Sequence, residues 1–323
     1  MATLKDQIKA GKIGRLYLLY GSEPFLVRLN ARRLKEAVLT EEDEMMNLDR
    51  FKENADPDDL KMSFETLPFM SEKRMVLIEN SGAFGKKAAA YESLEKSLLD
   101  LPETTVVLFI ESDVDKRKKL YKTVQKAGEI YEFGPLGERE LSIWIGQEFK
   151  KRRVRVDPMG ISYLISLLGA DMEKIQSEIE KLSSFAASKG FLTKEDMDLL
   201  VSPSIETKIF RLTDQLGNGR RADAYRAYQD LLKQNERPEM IFYMIVRQYH
   251  LLYRTSLMNP AGAAQVASAL GVRDFAARGY LSQASRYGRE RLWRLIQRLY
   301  EMDLSIKTGQ ITIQEALDLV ILT

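Results

Sequence analysis

The chain contains no cysteine and a single histidine among its 323 residues. Without cysteine there is no disulfide, no thiolate metal site and no cysteine nucleophile. With one imidazole and no thiol, a zinc site or a Ser/His or Cys/His catalytic centre is not expected. That histidine, His250, lies in Tyr249-His250-Leu251-Leu252-Tyr253, inside an apolar helical segment. It is expected to be a partly buried helix residue rather than a ligand. Long apolar stretches are lacking too: no run reaches the roughly 18 residues of a membrane span. The N-terminal segment Met1 to Ala10 carries Lys5, Asp6 and Lys9 and has no apolar stretch of the secretory type, which leads us to expect a cytoplasmic protein.

A nucleotide-binding loop is also missing where one is expected. The apolar run Leu16-Tyr17-Leu18-Leu19-Tyr20 leads into Gly21-Ser22-Glu23-Pro24-Phe25-Leu26-Val27-Arg28 and then a helical pattern. In a working G-x-x-x-x-G-K-[ST] loop, backbone N–H groups cradle phosphates, the lysine reaches the terminal phosphates and the hydroxyl holds Mg²⁺. Counted from Gly21, the second glycine is Leu26, the lysine is Val27 and the hydroxyl residue is Arg28, while Glu23 adds a negative charge. No other stretch fits: Gly85-Lys86-Lys87 lacks both the hydroxyl and the upstream glycine. Glu79-Asn80 and Glu111 to Asp113, at the ends of apolar runs, then read as strand-end caps and surface turns rather than metal ligands. No cofactor and no intrinsic catalytic site are expected.

What is present is a well-solvated chain with ample core: 45% apolar and 30% charged residues. Its length suits two or three domains. Four short apolar runs, Leu16–Tyr20, Met75–Ile78, Val106–Ile110 and Ile130–Phe133, lack alternation and suit strands buried on both faces. Helical patterns over Pro24–Leu39 and Ala88–Leu99 lie between them, so residues 1–137 are expected to form a mostly parallel α/β sheet domain. After Gly134-Pro135-Leu136-Gly137 no further convincing strand occurs. Asp157-Pro158 marks a helix start, and Thr193 with Asp196 makes a capping box. These bound a small helical domain over 138–206, closed by Ser202-Pro203-Ser204.

From 207 to 323 the pattern is a helical bundle. Asn218-Gly219 forms a turn, Ala224, Ala227, Tyr228 and Leu231 form a stripe, and Pro238 opens a helix that runs to Leu257. Leu292, Leu295, Ile296, Leu299 and Met302 form the face of a late helix. This third holds 17 basic against 11 acidic residues, a balance of +6, whereas residues 1–206 hold 32 against 36, a balance of −4. Arg291, Arg294 and Arg298 share one side of the late helix, expected to lie away from its apolar face. They could meet nucleic acid or a neighbouring subunit, or form a solvated face. The runs Lys116–Lys119 and Lys150–Arg153 are similar, and no aromatic stacking platform is interleaved with them.

Several stretches together resemble one family. Gly21 to Leu26 follows G-x-E-x-x-L, Asp115-Lys116-Arg117-Lys118-Lys119-Leu120-Tyr121-Lys122 follows D-x-R-x-K-L-x-K, and Glu65-Thr66-Leu67-Pro68-Phe69-Met70-Ser71-Glu72-Lys73-Arg74 resembles a clamp-contacting loop. Gly169 to Met172 with Ser177 to Leu182, then Phe210 to Leu216 and Ile306 to Gly309, extend the likeness across nearly the whole chain. The family is the delta subunit of the bacterial DNA polymerase III clamp loader. The resemblance implies an AAA+-like α/β domain with a degenerate phosphate loop, a helical lid and a helical collar that packs in a pentamer. It implies a non-ATPase subunit of a replicative, DNA-directed DNA polymerase holoenzyme. Its partners would be the sliding clamp (beta), the motor (gamma/tau) and delta-prime subunits, and primed DNA.

The same resemblance places the clamp wedge at Leu67, Pro68, Phe69 and Met70. The residue pattern by itself allows the alternative that these four cap the sheet core, and Pro68 between Leu67 and Phe69 departs from the family's usual spacing. Delta-prime and motor subunits are less well matched, because they carry a cysteine zinc module and an S-R-C segment. A stand-alone DNA-binding protein is disfavoured by the net charge of only +2.

Overall fold

The computed structural model describes residues 4–258, 262–272 and 274–322. Met1 to Thr3, the start of the segment expected to lack a secretory signal, lie outside these. The chain divides into two compact units, Met1–Pro135 and Leu136–Thr323.

The first unit runs α1 (Leu4–Lys9), β1 (Leu16–Tyr20), α2 (Pro24–Val38), α3 (Glu41–Asn47), β2 (Leu48–Phe51), α4 (Pro57–Glu65), β3 (Arg74–Glu79), α5 (Leu94–Leu99), β4 (Thr105–Glu111), α6 (Lys119–Ala127) and β5 (Glu129–Glu132). The strands form one parallel sheet in the order β2-β3-β4-β1-β5. Every residue of β1 is buried, as a strand covered on both faces requires. Alternate side chains feed two cores. Leu16, Leu18, Val76, Ile78, Val107 and Phe109 pack with Leu60 and Phe64 of α4, Leu94 and Leu98 of α5, and Leu120 and Val124 of α6. Tyr17, Leu19, Met75, Leu77, Val106 and Leu108 pack with Leu4 of α1 and Val27, Ala31 and Leu34 of α2 on the other face. The result is the three-layer AAA+-like arrangement.

Four of the strands are those expected. β2 was not, and the pattern over Ala88–Leu99 is two pieces, a 3₁₀ turn at Ala88–Tyr91 followed by α5.

The second unit is helical: α7 (Glu138–Lys151), α8 (Pro158–Leu168), α9 (Met172–Phe185), α10 (Lys194–Leu200), α11 (Ile205–Gly217), α12 (Arg221–Lys233), α13 (Pro238–Leu257), α14 (Ala263–Leu270), α15 (Asp274–Tyr287), α16 (Arg289–Lys307) and α17 (Ile313–Leu322). Its one β feature among the described residues is an isolated bridge between Arg155 and Phe191. Local chemistry sets the helix ends as the sequence suggests. Asp157 accepts from the Gly160 N–H at 2.5 Å with Pro158 in the first turn of α8. Thr193 and Asp196 make a reciprocal capping box on α10. From α11 onward one core runs through Ile209, Leu212, Tyr228, Ile241, Ile245, Tyr249, Leu292 and Leu317. The Tyr287 hydroxyl donates to the Thr213 carbonyl at 2.5 Å and lies 3.1 Å from that of Tyr249, tying α15 to α11 and α13.

His250 does not sit as expected. Tyr249 and Leu252 are buried in this core, but His250 is exposed on the opposite face of α13.

The caps yield two expectations. Asp157→Ala should destabilise the second unit by about 1 kcal/mol, measured by denaturant unfolding followed on its helical signal. Lys189, together with the Thr193 amide and hydroxyl, holds the Asp196 carboxyl below its ordinary value of 3.8. A depressed carboxyl stabilises the fold above its unfolded pKa, and that contribution is lost as pH falls through the folded value. The melting difference between the wild type and Asp196→Asn should therefore be largest near neutral pH and shrink steadily from pH ~4 downward.

Candidate protein-interaction site

In a parallel sheet all strands begin at one end. Asn47 closes α3 just before β2, and the segment Thr66 to Lys73 joins α4 to β3, so both lie at the end where the strands start. The β2–β3 register pairs Leu48 with Met75 and Asp49 with Val76. That register brings the residue before β2 alongside the loop before β3.

The loop presents apolar side chains to solvent: Leu67 is 71% exposed, Phe69 55% and Met70 92%. Pro68 is half-buried between them. None of the four belongs to either sheet core, so the alternative in which they cap that core is not what the fold displays. On α4, which leads into the loop, Met62 is exposed as well, and so are Met45 and Met46 of α3. Clustered apolar exposure of this kind marks interaction surfaces on soluble proteins.

The backbone beneath this tip is fixed. Asn47 is 1% exposed. Its Nδ2 donates to the Phe69 carbonyl at 3.0 Å, and its Oδ1 accepts from the Phe69 N–H at 2.6 Å. Arg74, also buried, pairs with Asp49 of β2, and its Nη1 lies 3.5 Å from the Leu67 carbonyl. Asp49 accepts in addition from the Ser63 hydroxyl of α4. The Thr105 hydroxyl donates to the Phe64 carbonyl at 3.1 Å and secures the end of α4 to β4. Met70 has φ +50°, in the left-handed region that a long side chain rarely adopts. Beyond the tip, Asp43 of α3 is held below the usual carboxylate range by the Thr40 hydroxyl and amide, with a smaller contribution from the Ser71 hydroxyl. The resemblance singled out the stretch that holds this tip and ends at Arg74. It did not include Asn47 or Asp49 and gave Arg74 no separate role, because these contacts join residues 22 to 25 apart.

At the opposite end of the sheet lies the position of the phosphate loop. Gly21 has φ +141°, and a Cβ there would fall 2.1 Å from the Phe133 carbonyl oxygen. The Glu23 N–H donates to that same oxygen at 3.1 Å, so the loop is stitched to the chain leaving β5. Leu26 and Val27, in the glycine and lysine positions, are buried. Nearby, Glu111 caps the turn after β3: its carboxylate accepts from the Ser81 hydroxyl and from the Ser81 and Gly82 N–H groups at 3.0 and 3.2 Å. Burial pushes the Glu111 carboxyl up, and those donors offset part of the shift.

The three arginines of α16 are not equivalent. Arg291 lies over the Tyr287 ring at 5.0 Å, with Nη2 3.5 Å from the Leu216 carbonyl, and Arg298 donates to the Leu319 carbonyl at 3.3 Å. Both line a small pocket of about 170 Å³ with Arg221, Tyr249 and Tyr287. They border the apolar face of the helix rather than lying away from it. Arg291 and Arg294 are exposed, and Arg298 is half-buried.

Comparison with known proteins agrees with this architecture. The family model for the DNA polymerase III delta subunit matches residues 17–133, and that for the C-terminal domain of the DNA polymerase III delta subunit matches 206–323. The chain is 31% identical over 328 residues to DNA polymerase III subunit delta of Bacillus subtilis, covering 98% of this chain and 94% of that protein. It is 25% identical over 211 residues to the probable DNA polymerase III subunit delta of Aquifex aeolicus, covering 62% and 59%. The solved structure of the Bacillus subtilis DNA clamp loader delta protein superimposes with a TM-score of 0.75 at 30% identity, over 99% of this chain and 97% of that one. With the resemblance thus extending over both units, the chain belongs to the family of DNA polymerase III delta subunits.

Proposed function

We propose that this protein is the clamp-binding, non-ATPase subunit of a clamp loader, and that Leu67, Pro68, Phe69 and Met70 form the wedge that enters a pocket on the sliding clamp. The observation that carries this proposal is the pairing of an exposed apolar tip with a buried, hydrogen-bonded frame. A rigid apolar anchor loses little side-chain and loop entropy on binding, so more of its burial energy reaches the complex. By binding the opened ring better than the closed one, the wedge would favour opening and loading onto primed DNA.

Energy for the cycle would come from ATP in the neighbouring motor (gamma/tau) subunits, with delta-prime completing the assembly. The burial of Leu26 and Val27 and the stitching of the first loop to Phe133 favour a delta subunit that does not itself bind nucleotide. In this assignment residues 138–206 act as the lid and 207–323 as the oligomerising collar, in the cytoplasm. Arg291, Arg294 and Arg298 are the proposed contacts to DNA or to an adjacent subunit.

Surface plasmon resonance with the cognate clamp tests the wedge. Each anchor should contribute about 2 kcal/mol or more, together about 4 kcal/mol, so Leu67→Ala/Phe69→Ala should weaken binding by roughly several hundred-fold while leaving the melting transition in place. Unchanged affinity in the double variant would move the site elsewhere. The isolated protein should also hydrolyse no ATP above background; turnover at a motor-like rate would overturn the non-ATPase assignment.

A further inference from the structure

The wedge residues account for what touches a partner, but not for why the loop holds its shape in the free chain. Thr66 to Lys73 contains no helix or strand, and Met70 adopts a positive φ that works against its side chain. Such a segment left to itself samples many conformations, and only a fraction would present Leu67 and Phe69 together. From the geometry we infer that Asn47 is the positioning residue of the clamp-binding wedge, acting as a surrogate strand partner that locks the Phe69 peptide group in its binding-competent conformation.

The argument rests on what Asn47 does with its amide. A primary amide offers one acceptor and one donor side by side, the same pair that a backbone residue offers across a ladder. Asn47 uses both on a single residue, Phe69, at 2.6 and 3.0 Å. Both bonds together fix the orientation of the amide, since exchanging its O and N would oppose like groups at each contact. The side chain is almost fully shielded, so neither bond has a ready replacement from water. Because the tip itself is exposed, its order must come from below. Asn47 supplies the direct contact with the Phe69 backbone, and Arg74, held by Asp49, backs the Leu67 carbonyl.

Position in the fold explains why this works. Asn47 is followed immediately by β2, whose parallel pairing with β3 is fixed from Leu48↔Met75 to Phe51↔Ile78. The amide is thus anchored to the sheet at the strand end nearest the loop. Asn47 itself would touch no clamp residue. It would act on affinity by raising the fraction of molecules whose wedge is already formed, and apparent affinity scales with that fraction.

This inference rests on the proposed clamp-binding wedge, and the test separates the two. Asn47→Asp keeps shape and volume and the acceptor for the Phe69 N–H, but it loses the donor to the Phe69 carbonyl. Asn47→Ala loses both. Full-length wild type, both variants and Leu67→Ala/Phe69→Ala are compared by surface plasmon resonance on the sliding clamp and by hydrogen exchange of the free proteins. In Asn47→Asp a carboxylate oxygen opposes the Phe69 carbonyl in place of the donor, so the loop should loosen and exchange at Phe69 and Met70 should speed up, less than in Asn47→Ala, while amides of Met75 to Ile78 keep wild-type protection. The association rate constant of Asn47→Asp should fall about tenfold with dissociation changed less than about twofold, as a smaller competent population requires. Asn47→Ala should follow the same trend further.

A folded Asn47→Asp with wild-type association and wild-type exchange at Phe69, alongside a double variant that has lost binding, would overturn the positioning role and leave the wedge intact. Faster exchange at Phe69 without any change in association would overturn it as well. Binding that survives Leu67→Ala/Phe69→Ala would overturn the wedge and this inference with it. Loss of protection throughout β2 and β3 in Asn47→Asp would identify a general structural role and overturn the specific one.

Discussion

The parallel register of β2 on β3 is the constraint on which the candidate site depends. β2 is an edge strand with one neighbour, and only a few backbone hydrogen bonds hold it. A side-chain period of two means that a slip of one residue would turn Asp49 away from Arg74 and Ser63. It would also carry Asn47 out of reach of Phe69. The Asp49–Arg74 pair and the Ser63 contact oppose such a slip from within the sheet edge. Thus Asp49, one of the two charged residues that make β2 an unconvincing strand by composition, is the one that specifies its pairing.

The same sheet separates two tasks in space. The phosphate-loop position lies where β1 ends, and the exposed apolar tip lies where β3 begins. In parallel α/β sheets ligands bind beyond the carboxyl ends of strands. Here that end is closed by Phe133 against Gly21 and by Glu111 across Ser81 and Gly82, contacts that stiffen the turns. Leu26 and Val27, which stand in the glycine and lysine positions of a phosphate-loop pattern, are buried core residues, while the apolar tip at the opposite end of the sheet is exposed.

How much of this was legible in the sequence follows from the range of the interactions. Strands buried on both faces announce themselves as apolar runs, which is why Leu16–Tyr20 and Val106–Ile110 stand out and half-exposed Leu48-Asp49-Arg50-Phe51 does not. Helix starts at Asp157-Pro158, Thr193 and Pro238 are legible because their chemistry is local. His250 shows the limit of reading neighbours in sequence as neighbours in space. Apolar residues flank it in the chain, but at 100° per residue Tyr249 and Leu252 turn inward and leave it on the solvent side. The arginines of α16 err in the opposite direction, since long side chains at the border of an apolar face bend over it to reach carbonyls on other helices. The exposed apolar tip lies in the stretch that the family resemblance singled out. Its frame was not legible, because an asparagine that pairs with a backbone 22 residues away leaves no periodic trace.

An exposed Leu, Phe and Met on a loop carry a standing liability, since apolar patches promote unselective association. Burying them in the unit's own core would remove that liability and, with it, any use of the tip as an anchor. The observed arrangement keeps the apolar area in solvent but restricts its shape, through a buried amide on one side and a buried guanidinium on the other. Restriction of shape is what separates a selective anchor from a sticky one: a fixed tip fits a matching pocket with little ordering cost, and misfits a flat surface it cannot remodel itself to cover. The positive φ at Met70 belongs to the same logic. Strain of that kind persists only where surrounding contacts over-determine the backbone, and here those contacts converge on the residue next to it, Phe69.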